Sequence, residues 1–189
     1  MLDLHTVLQE FARRRGDAVV ISTMTTGREW PEFSTNERLD FPLSGCMGKA
    51  SSLGLGVALA RPDKRVIVFD GDGSLLMNLG TLVTIANAKP KNLVHCAFEN
   101  GIYEITGGQP VPGEGTFNLA TMARGAGYAN VYEFGDEGSF KAGIDEALGK
   151  DGPTFIVLRV GAVDKPSQIK RRPTKVAFRE LREALASTS

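Results

Sequence analysis

The amino-acid sequence predicts an α/β fold, a three-layer parallel sheet with helices on both of its faces. Three observations lead to this prediction. Five short apolar runs rich in β-branched residues have the character of buried parallel strands, segments with helical periodicity lie between them, and the two kinds of segment alternate. We expect a single domain over residues 1–189, because this length suits one α/β domain and no linker interrupts the chain.

The predicted strands are recognised by their apolar runs. They cover residues 18–22 (AVVIS), 65–70 (RVIVFD), 92–98 (NLVHCAF), 130–134 (NVYEF) and 155–160 (FIVLRV). The predicted helices cover residues 4–14, 47–60, 75–88, 119–126, 139–148 and 175–186. The first helix precedes the first strand and the second helix precedes the second strand. From there, one helix follows each strand, which is the order that builds a parallel sheet.

Two stretches lack a sustained period and follow the carboxyl ends of predicted strands. Residues 23–43 hold a tryptophan and two prolines and are predicted as a long excursion, and the glycine-rich residues 101–116 are predicted as a loop. Long loops inside a compact domain are often functional, and ligands of open α/β sheets bind at the carboxyl ends of strands. We therefore expect the functional site at this edge of the sheet.

Composition excludes several classes of protein. Lys plus Arg and Asp plus Glu each total 22, and this balance argues against nucleic-acid binding. The sequence has 42% hydrophobic and 23% charged residues, without a membrane-spanning run or a signal-peptide pattern, so we expect a cytoplasmic protein that binds no membrane. The two cysteines do not form a disulfide framework.

The most informative stretch is residues 70–74 (DGDGS), which comes directly off a predicted strand and opens a helix. Gly71 and Gly73 allow a sharp turn and a close approach of the backbone to a ligand, and the helix start suits a phosphate. Asp72 would repel a phosphate unless a cation lay between them, which indicates Mg²⁺. The alternative is a plain strand–turn–helix connection with Asp72 as the helix N-cap.

A second polar segment follows at a spacing that favours the metal site. Twenty-five residues, 74–98, separate Gly73 from Glu99 and Asn100, and they hold one helix, a turn and one strand. A right-handed βαβ unit brings Asn100 at the end of the second strand beside Asp72 at the end of the first. A carboxylate, an amide oxygen and a loop carbonyl could then hold Mg²⁺ together with phosphate oxygens.

These motifs together resemble the thiamine diphosphate (ThDP) motif. The chain is similar to the cofactor-binding (PP) domain of ThDP-dependent 2-oxo-acid decarboxylases, above all to sulfopyruvate decarboxylase β subunits and the C-terminal domain of phosphonopyruvate decarboxylases. The resemblance runs over residues 18–175 and includes residues 45–48 (GCMG), 70–79 (DGDGSLLMNL), 106–110 (TGGQP) and 125–128 (GAGY).

The resemblance implies a role for each matching residue. Mg²⁺ would be bound by Asp72, by the Asn100 side chain and by the main-chain carbonyl of Ile102. Met47, as a wedge under the cofactor, and Gly45, whose carbonyl would accept a hydrogen bond from the 4′-amino group, would serve catalysis. The residues expected to contact ThDP are Thr25, Gly45, Cys46, Met47, Gly71, Asp72, Gly73, Ser74, Asn100, Ile102 and Tyr103.

The resemblance also implies a shared site. The family's chemistry requires a glutamate on a separate pyrimidine-binding domain, and only about 44 residues precede the first motif here, too few for such a domain. We therefore expect an obligate hetero-oligomer with a pyrimidine-domain (α) subunit, with two copies of each chain or a multiple of that. The implied activity is decarboxylation of a small anionic 2-oxo acid similar to sulfopyruvate or phosphonopyruvate.

Two alternative functions stay open at this point. One is a ThDP-dependent carboligase of the acetolactate-synthase type, and the other is a non-catalytic module that binds Mg²⁺ and a nucleotide diphosphate. Two departures from the family pattern bear on the choice. Glu99 stands where the family has Asn or Asp and points either away from the metal or toward it. Residues 102–105 (IYEI) replace smaller residues, which leaves the substrate undetermined.

The remaining candidates favour structural roles. Gly54, with alanines four residues to either side, indicates a small-residue helix face for close packing rather than a dinucleotide fingerprint. Cys46 is interpreted as a small filler beside the cofactor rather than a reactive thiol, and Cys96 as a core residue. His5 and His95 are interpreted as structural residues, and Glu104 as a solvated loop residue rather than a substrate contact. The basic run is predicted to form a solvated or partner-binding surface, or to attract an acidic substrate; it consists of Lys165, Lys170, Arg171, Arg172 and Lys175.

Overall fold

The computed structural model describes residues 1–168 and 172–186 of the chain. Its strands are β1 (Val19–Thr23), β2 (Asp40–Leu43), β3 (Val66–Gly71), β4 (Leu93–Glu99), β5 (Ile102–Tyr103), β6 (Gln109–Pro110), β7 (Asn130–Phe134) and β8 (Thr154–Arg159). Six of them form a parallel sheet in the order β2-β1-β3-β4-β8-β7, while β5 and β6 form a separate antiparallel pair. The predicted parallel sheet is confirmed.

The helices are α1 (Leu4–Arg14), α2 (Met24–Glu29), α3 (Ala50–Ala60), α4 (Asp72–Leu76), α5 (Gly80–Ala88), α6 (Leu119–Ala126), α7 (Glu137–Gly149) and α8 (Thr174–Ala186). Three of them begin at a side-chain cap, because Asp3, Asn118 and Asp136 accept the backbone N–H three residues ahead. The predicted bounds of α1, α6 and β7 agree with those observed. Within the part of the chain that the structure describes, no helix has the length and apolar character needed to cross a bilayer.

Two predicted helices differ from the observed ones. The prediction of one helix over residues 75–88 is wrong: α4 begins already at Asp72 and ends at Leu76, and α5 begins at Gly80. Between them the Asn78 side chain donates to the carbonyl of Gly48, 2.9 Å away, so a tertiary contact holds the intervening turn. The helix predicted over residues 47–60 begins at Ala50, because Gly48 has φ +72°, which a right-handed helix does not accept.

The two irregular stretches contain more structure than periodicity could reveal. Residues 23–43 hold α2, two single 3₁₀ turns and β2, which lies at the edge of the sheet and tolerates Pro42 there. Residues 101–116 form a loop as predicted, organised around the β5–β6 pair and a 3₁₀ turn at Glu104–Thr106. Elements of two to six residues are too short to display a hydrophobic period.

The core lies on both faces of the sheet and confirms the predicted small-residue helix face. A Cβ added to Gly54 in α3 would lie 2.3 Å from Cγ2 of Val68 in β3, so the helix approaches the sheet too closely for any side chain there. Cys96 is fully buried in β4, and burial raises the pKa of its thiol. His95 is also fully buried, with Nδ1 3.2 Å from the Tyr128 hydroxyl, in agreement with a structural role.

Candidate active site

A recess opens at the carboxyl ends of β1, β3 and β4, where the parallel sheet leads the chain into its two irregular stretches. It encloses about 480 Å³ of empty space, its open mouth included. Of the residues that the sequence predicts as cofactor contacts, all but Gly45 and Cys46 line this recess. The register of the sheet explains the convergence, because Gly71 at the end of β3 pairs with Phe98 near the end of β4.

Asp72 is the buried charge of the recess, with 2% of its surface exposed. Its Oδ1 accepts the backbone N–H of Gly73 at 2.7 Å, and its Oδ2 accepts that of Gly101 at 2.8 Å. Burial raises the pKa of Asp72, and these backbone N–H groups oppose the increase only in part. Among residues 1–168 and 172–186, no cationic side chain pairs with this carboxylate.

Asn100 stands directly before the residue whose N–H binds Asp72, so the two predicted metal ligands lie at neighbouring strand ends. Its amide has a defined orientation. Nδ2 donates to the Glu104 carboxylate at 2.8 Å, and Oδ1 accepts the backbone N–H of Ile102 at 3.1 Å. A carboxylate only accepts hydrogen bonds and a backbone N–H only donates them. Both contacts therefore require the same orientation of the Asn100 amide, with Nδ2 toward Glu104 and Oδ1 toward Ile102.

Tyr103 in β5 covers the glycine turn that follows β3. A Cβ added to Gly73 would lie 2.4 Å from Cε1 of Tyr103 and 2.9 Å from Cγ1 of Val111, so only glycine fits under this ring. Gly71, by contrast, has no atom within 4 Å of such a Cβ. The backbone of the turn is therefore enclosed on one side and accessible on the other, a form that suits the close approach of a ligand.

Gly45 and Cys46 are exposed in a turn after β2 and lie outside the lining of the recess, whereas Met47 lies within it. Gly45 has φ +72°, a conformation that favours glycine. The end of this turn is attached to the turn after β3, because Gly48 N–H donates to the Ser74 hydroxyl at 3.0 Å. Asn78, which sequence reasoning missed, provides the second attachment through the Gly48 carbonyl.

Helix α2 forms the opposite wall of the recess. It begins at Met24, which has φ +51°, a strained value for a residue other than glycine. The Thr26 hydroxyl donates to the carbonyls of Thr23 and Phe69 and is buried, while Thr25 directs its hydroxyl to Glu104, 3.3 Å away. Both threonines line the recess. No feature of the sequence indicated this strain at Met24, which lies at the junction between the end of β1 and the start of α2.

Glu104 is the main correction to the sequence-based interpretation, which took it for a solvated loop residue. Its side chain is only 12% exposed. It accepts hydrogen bonds from Asn100, Thr25, Arg28 and the backbone N–H of Val163. The signal that could have found it is its position four residues after Asn100, at the start of the glycine-rich loop.

Glu99 does not line the recess. Its carboxylate faces the neighbouring strand β8, with Oε2 3.7 Å from Nε of Arg159. Burial raises the pKa of Glu99 and the Arg159 guanidinium opposes that increase. The carboxylate thus pairs with Arg159 outside the recess lining, and the nearby charge of Asp72 adds to the increase in its pKa.

The two histidines and the described members of the basic run, Lys165, Arg172 and Lys175, lie outside the recess lining. His5 Nε2 contacts the buried carboxylate of Glu29 at 2.9 Å, an interaction between α1 and α2 that fits a structural role. Lys165 is exposed, whereas Arg172 binds the backbone carbonyl of Asp40 at 3.1 Å and the carboxylate of Glu180. Lys170 and Arg171 lie outside the described residues.

Comparison with known proteins places the chain among ThDP enzymes. Residues 19–158 match the thiamine pyrophosphate enzyme, C-terminal TPP binding domain. The chain is 38% identical to a phosphonopyruvate decarboxylase of Streptomyces viridochromogenes over 93% of this chain and 44% of that protein. It is 42% identical to the sulfopyruvate decarboxylase subunit beta of Methanothermobacter thermautotrophicus over 67% of this chain and 65% of that subunit. It thus spans less than half the length of the first relative.

A solved structure shares the fold. The ThDP-dependent 4-hydroxybenzoylformate decarboxylase of Rhodococcus jostii RHA1 superposes with a TM-score of 0.69 at 22% sequence identity, over 87% of this chain and 33% of that one. At this identity the match supports the three-layer architecture. The matched range, residues 19–158, includes every residue that the sequence analysis assigned to the site, from Thr25 to Tyr103.

Proposed function

This chain belongs to the thiamine pyrophosphate enzyme family as a C-terminal TPP-binding domain, and we propose that it is the Mg²⁺- and diphosphate-binding subunit of a 2-oxo-acid decarboxylase. The substrate proposed is a small 2-oxo acid with a second anionic group, similar to phosphonopyruvate or sulfopyruvate. Similarity to decarboxylases named for these two acids supports this choice.

The observation that carries the proposal is the state of Asp72. A buried carboxylate that accepts only backbone N–H groups lacks a counter-charge, which is costly in a protein interior. The residues fit a divalent cation: Asp72, the Asn100 amide oxygen and the Ile102 carbonyl would supply three oxygen ligands. Mg²⁺ commonly combines so few protein oxygens with phosphate oxygens and water.

The chain's own residues would bind and orient the cofactor. Gly73 and Ser74 would contact its diphosphate with Thr25 on the opposite wall, and Met47 would support its bent conformation from below. The Gly45 carbonyl and Cys46, both exposed, would meet the part of the cofactor that extends out of the recess. When bound, ThDP supplies the electron sink that decarboxylation of a 2-oxo acid requires.

We also propose that the active form is a hetero-oligomer with a pyrimidine-domain subunit. The name "subunit beta" of the sulfopyruvate decarboxylase relative supports this proposal. Ile105, which lines the recess, is 37% exposed, so an apolar side chain there is accessible to a partner. The partner would contribute the activating glutamate that the resemblance implies.

The proposal is tested by calorimetry and product analysis on the chain purified with its partner. We expect Mg²⁺-dependent binding of ThDP and release of CO₂ from phosphonopyruvate or sulfopyruvate, faster than from pyruvate. Binding of ADP with Mg²⁺ in place of ThDP would instead identify a nucleotide module. Condensed hydroxy acids in place of an aldehyde would identify a carboligase.

A further inference from the structure

We propose that Glu104 is a positioning residue that keeps the oxygen of the Asn100 amide available to the cation. This inference rests on the proposed function, since it concerns how one of the proposed Mg²⁺ ligands is oriented. Glu104 itself is not among the proposed ligands. Its carboxylate acts on Asn100 from the side of the amide nitrogen.

The first argument is the chemistry of the contacts around Glu104. Its Oε2 accepts from Asn100 Nδ2 at 2.8 Å and from the Thr25 hydroxyl at 3.3 Å. Its Oε1 accepts from Arg28 Nη2 at 3.3 Å and from Val163 N–H at 3.2 Å. All four partners donate, so this position requires an acceptor at both ends, and only a carboxylate provides that.

The second argument is the freedom of the Asn100 amide. An asparagine can turn its amide by 180° at little steric cost, which exchanges an oxygen ligand for an NH₂ group that binds no cation. The Ile102 N–H at 3.1 Å from Oδ1 and the Glu104 carboxylate at Nδ2 both oppose this rotation. Of these two restraints, the one from Glu104 involves a charge and is therefore the stronger.

The third argument is that Glu104 is itself firmly held. Arg28 donates both to Glu104 and to the fully buried Glu29, which in turn accepts the backbone N–H of Ser167 at 3.0 Å. Helix α2 and the segment after β8 thus restrain the carboxylate from the side opposite to Asn100. Mutating a residue that orients a metal ligand through a hydrogen bond typically lowers metal affinity by about 10- to 100-fold.

The test is a titration of Mg²⁺ at saturating ThDP, followed by calorimetry, on the chain with its partner. In Glu104→Gln the amide oxygen is expected to face Arg28 and Val163, so its NH₂ group faces Asn100 and turns that amide. We expect Mg²⁺ affinity to fall about 10-fold or more. Glu183→Gln is the matched control, because it makes the same change at an exposed position of α8 outside the recess lining and should leave the affinity unchanged.

A rescue variant separates orientation of Asn100 from a general structural role. Asn100→Asp presents oxygen on both sides, so it can accept from the new glutamine and still offer an oxygen to Mg²⁺. Added to Glu104→Gln, it should restore Mg²⁺ affinity to within about threefold of the unaltered complex. A merely structural role of Glu104 would leave the double variant as weak in Mg²⁺ binding as Glu104→Gln alone, and that result would overturn the inference.

The remaining outcomes are also decisive. If Glu104→Gln retains the affinity of the control, the inference is wrong while the proposed function stands. If the unaltered complex shows no Mg²⁺-dependent ThDP binding, the proposed function fails first. If Glu104→Gln does not fold, as judged by thermal unfolding without ligands, Glu104→Asp is titrated instead. It withdraws the carboxylate by one methylene, and an unchanged Mg²⁺ affinity there would overturn the inference.

Discussion

Asp40 and Asp72, two of the three buried aspartates among the described residues, lie at different strands of the sheet and differ in what surrounds them. Asp40, in the edge strand β2, has Arg15 Nη1 2.7 Å from its Oδ1 and the Ser34 hydroxyl as a further partner. Asp72, after the central strand β3, accepts only backbone N–H groups. Burial raises the pKa of both, with Arg15 opposing the increase at Asp40 and backbone N–H groups opposing it at Asp72.

The difference supports the proposed roles, in which Asp40 is structural and Asp72 binds the cation. The fold supplies a full counter-charge to Asp40, whose guanidinium partner is also buried and held by the Ala18 carbonyl at 2.8 Å. For Asp72, the described part of the chain supplies partial charges only. A fold tolerates such a site at some cost in stability, and functional sites are where this cost is commonly found.

The largest effect is expected at the structural carboxylate. Asp40→Asn leaves the buried Arg15 without a counter-charge and should lower the free energy of unfolding by about 3 kcal/mol, measured by urea denaturation. The double variant Arg15→Met with Asp40→Leu should lose less free energy of unfolding than the sum of the losses measured for Arg15→Met alone and Asp40→Leu alone. Additive losses would show that the two side chains do not act as a pair.

Asp72→Ala should have the opposite profile. We expect Mg²⁺-dependent ThDP affinity to fall by about 100-fold or more, since a proposed metal ligand is removed, while the free energy of unfolding changes by only about 1 kcal/mol. Calorimetry and urea denaturation of the same preparation measure both quantities. Unchanged ThDP affinity would refute the assignment of Asp72 as a ligand and remove the functional side of the comparison.

Met47→Ala sharpens the comparison within the recess, between a residue that would bind by charge and one that would act by shape. ThDP affinity should stay within about threefold, whereas the turnover number should fall about 10-fold as the supported cofactor conformation is lost. Steady-state kinetics and calorimetry on the complex separate the two. Full turnover in this variant would show that Met47 does not support the cofactor.

The smallest effect concerns another buried carboxylate, Glu29. Burial by itself would raise the pKa of Glu29. Hydrogen bonds from Arg28, His5 and the Ser167 N–H outweigh this effect, so the net pKa of Glu29 is lowered. Its stabilisation is therefore present above the unfolded value of about 4.3 and is lost as the pH falls through the lower folded value. Glu29→Gln should cost about 1 kcal/mol at pH 7 and progressively less as the pH falls below about 4. A cost independent of pH would contradict this.

The sequence predicted that Asp72 and Asn100 lie close together better than it predicted the contacts around them. The positions of Asp72 and Asn100 followed from two strand ends and one βαβ connection, and the structure brings them to neighbouring strand ends. The solvated interpretation of Glu104 was wrong because its partners come from α2 and from the segment after β8, with Thr25 lying 79 residues earlier in the chain. Contacts across such distances leave no periodic pattern.

What the sequence determined by itself is the alternation of strands and helices and the polar residues at the strand ends, since hydrophobic period and glycine placement act over a few residues. The tertiary structure alone decided which way Glu99 points, where the helix after β3 is interrupted, and that β2 completes the edge of the sheet. Each of these depends on an arginine, a carbonyl or a strand that is distant in the chain. Such outcomes become defined only when packing brings the two partners together.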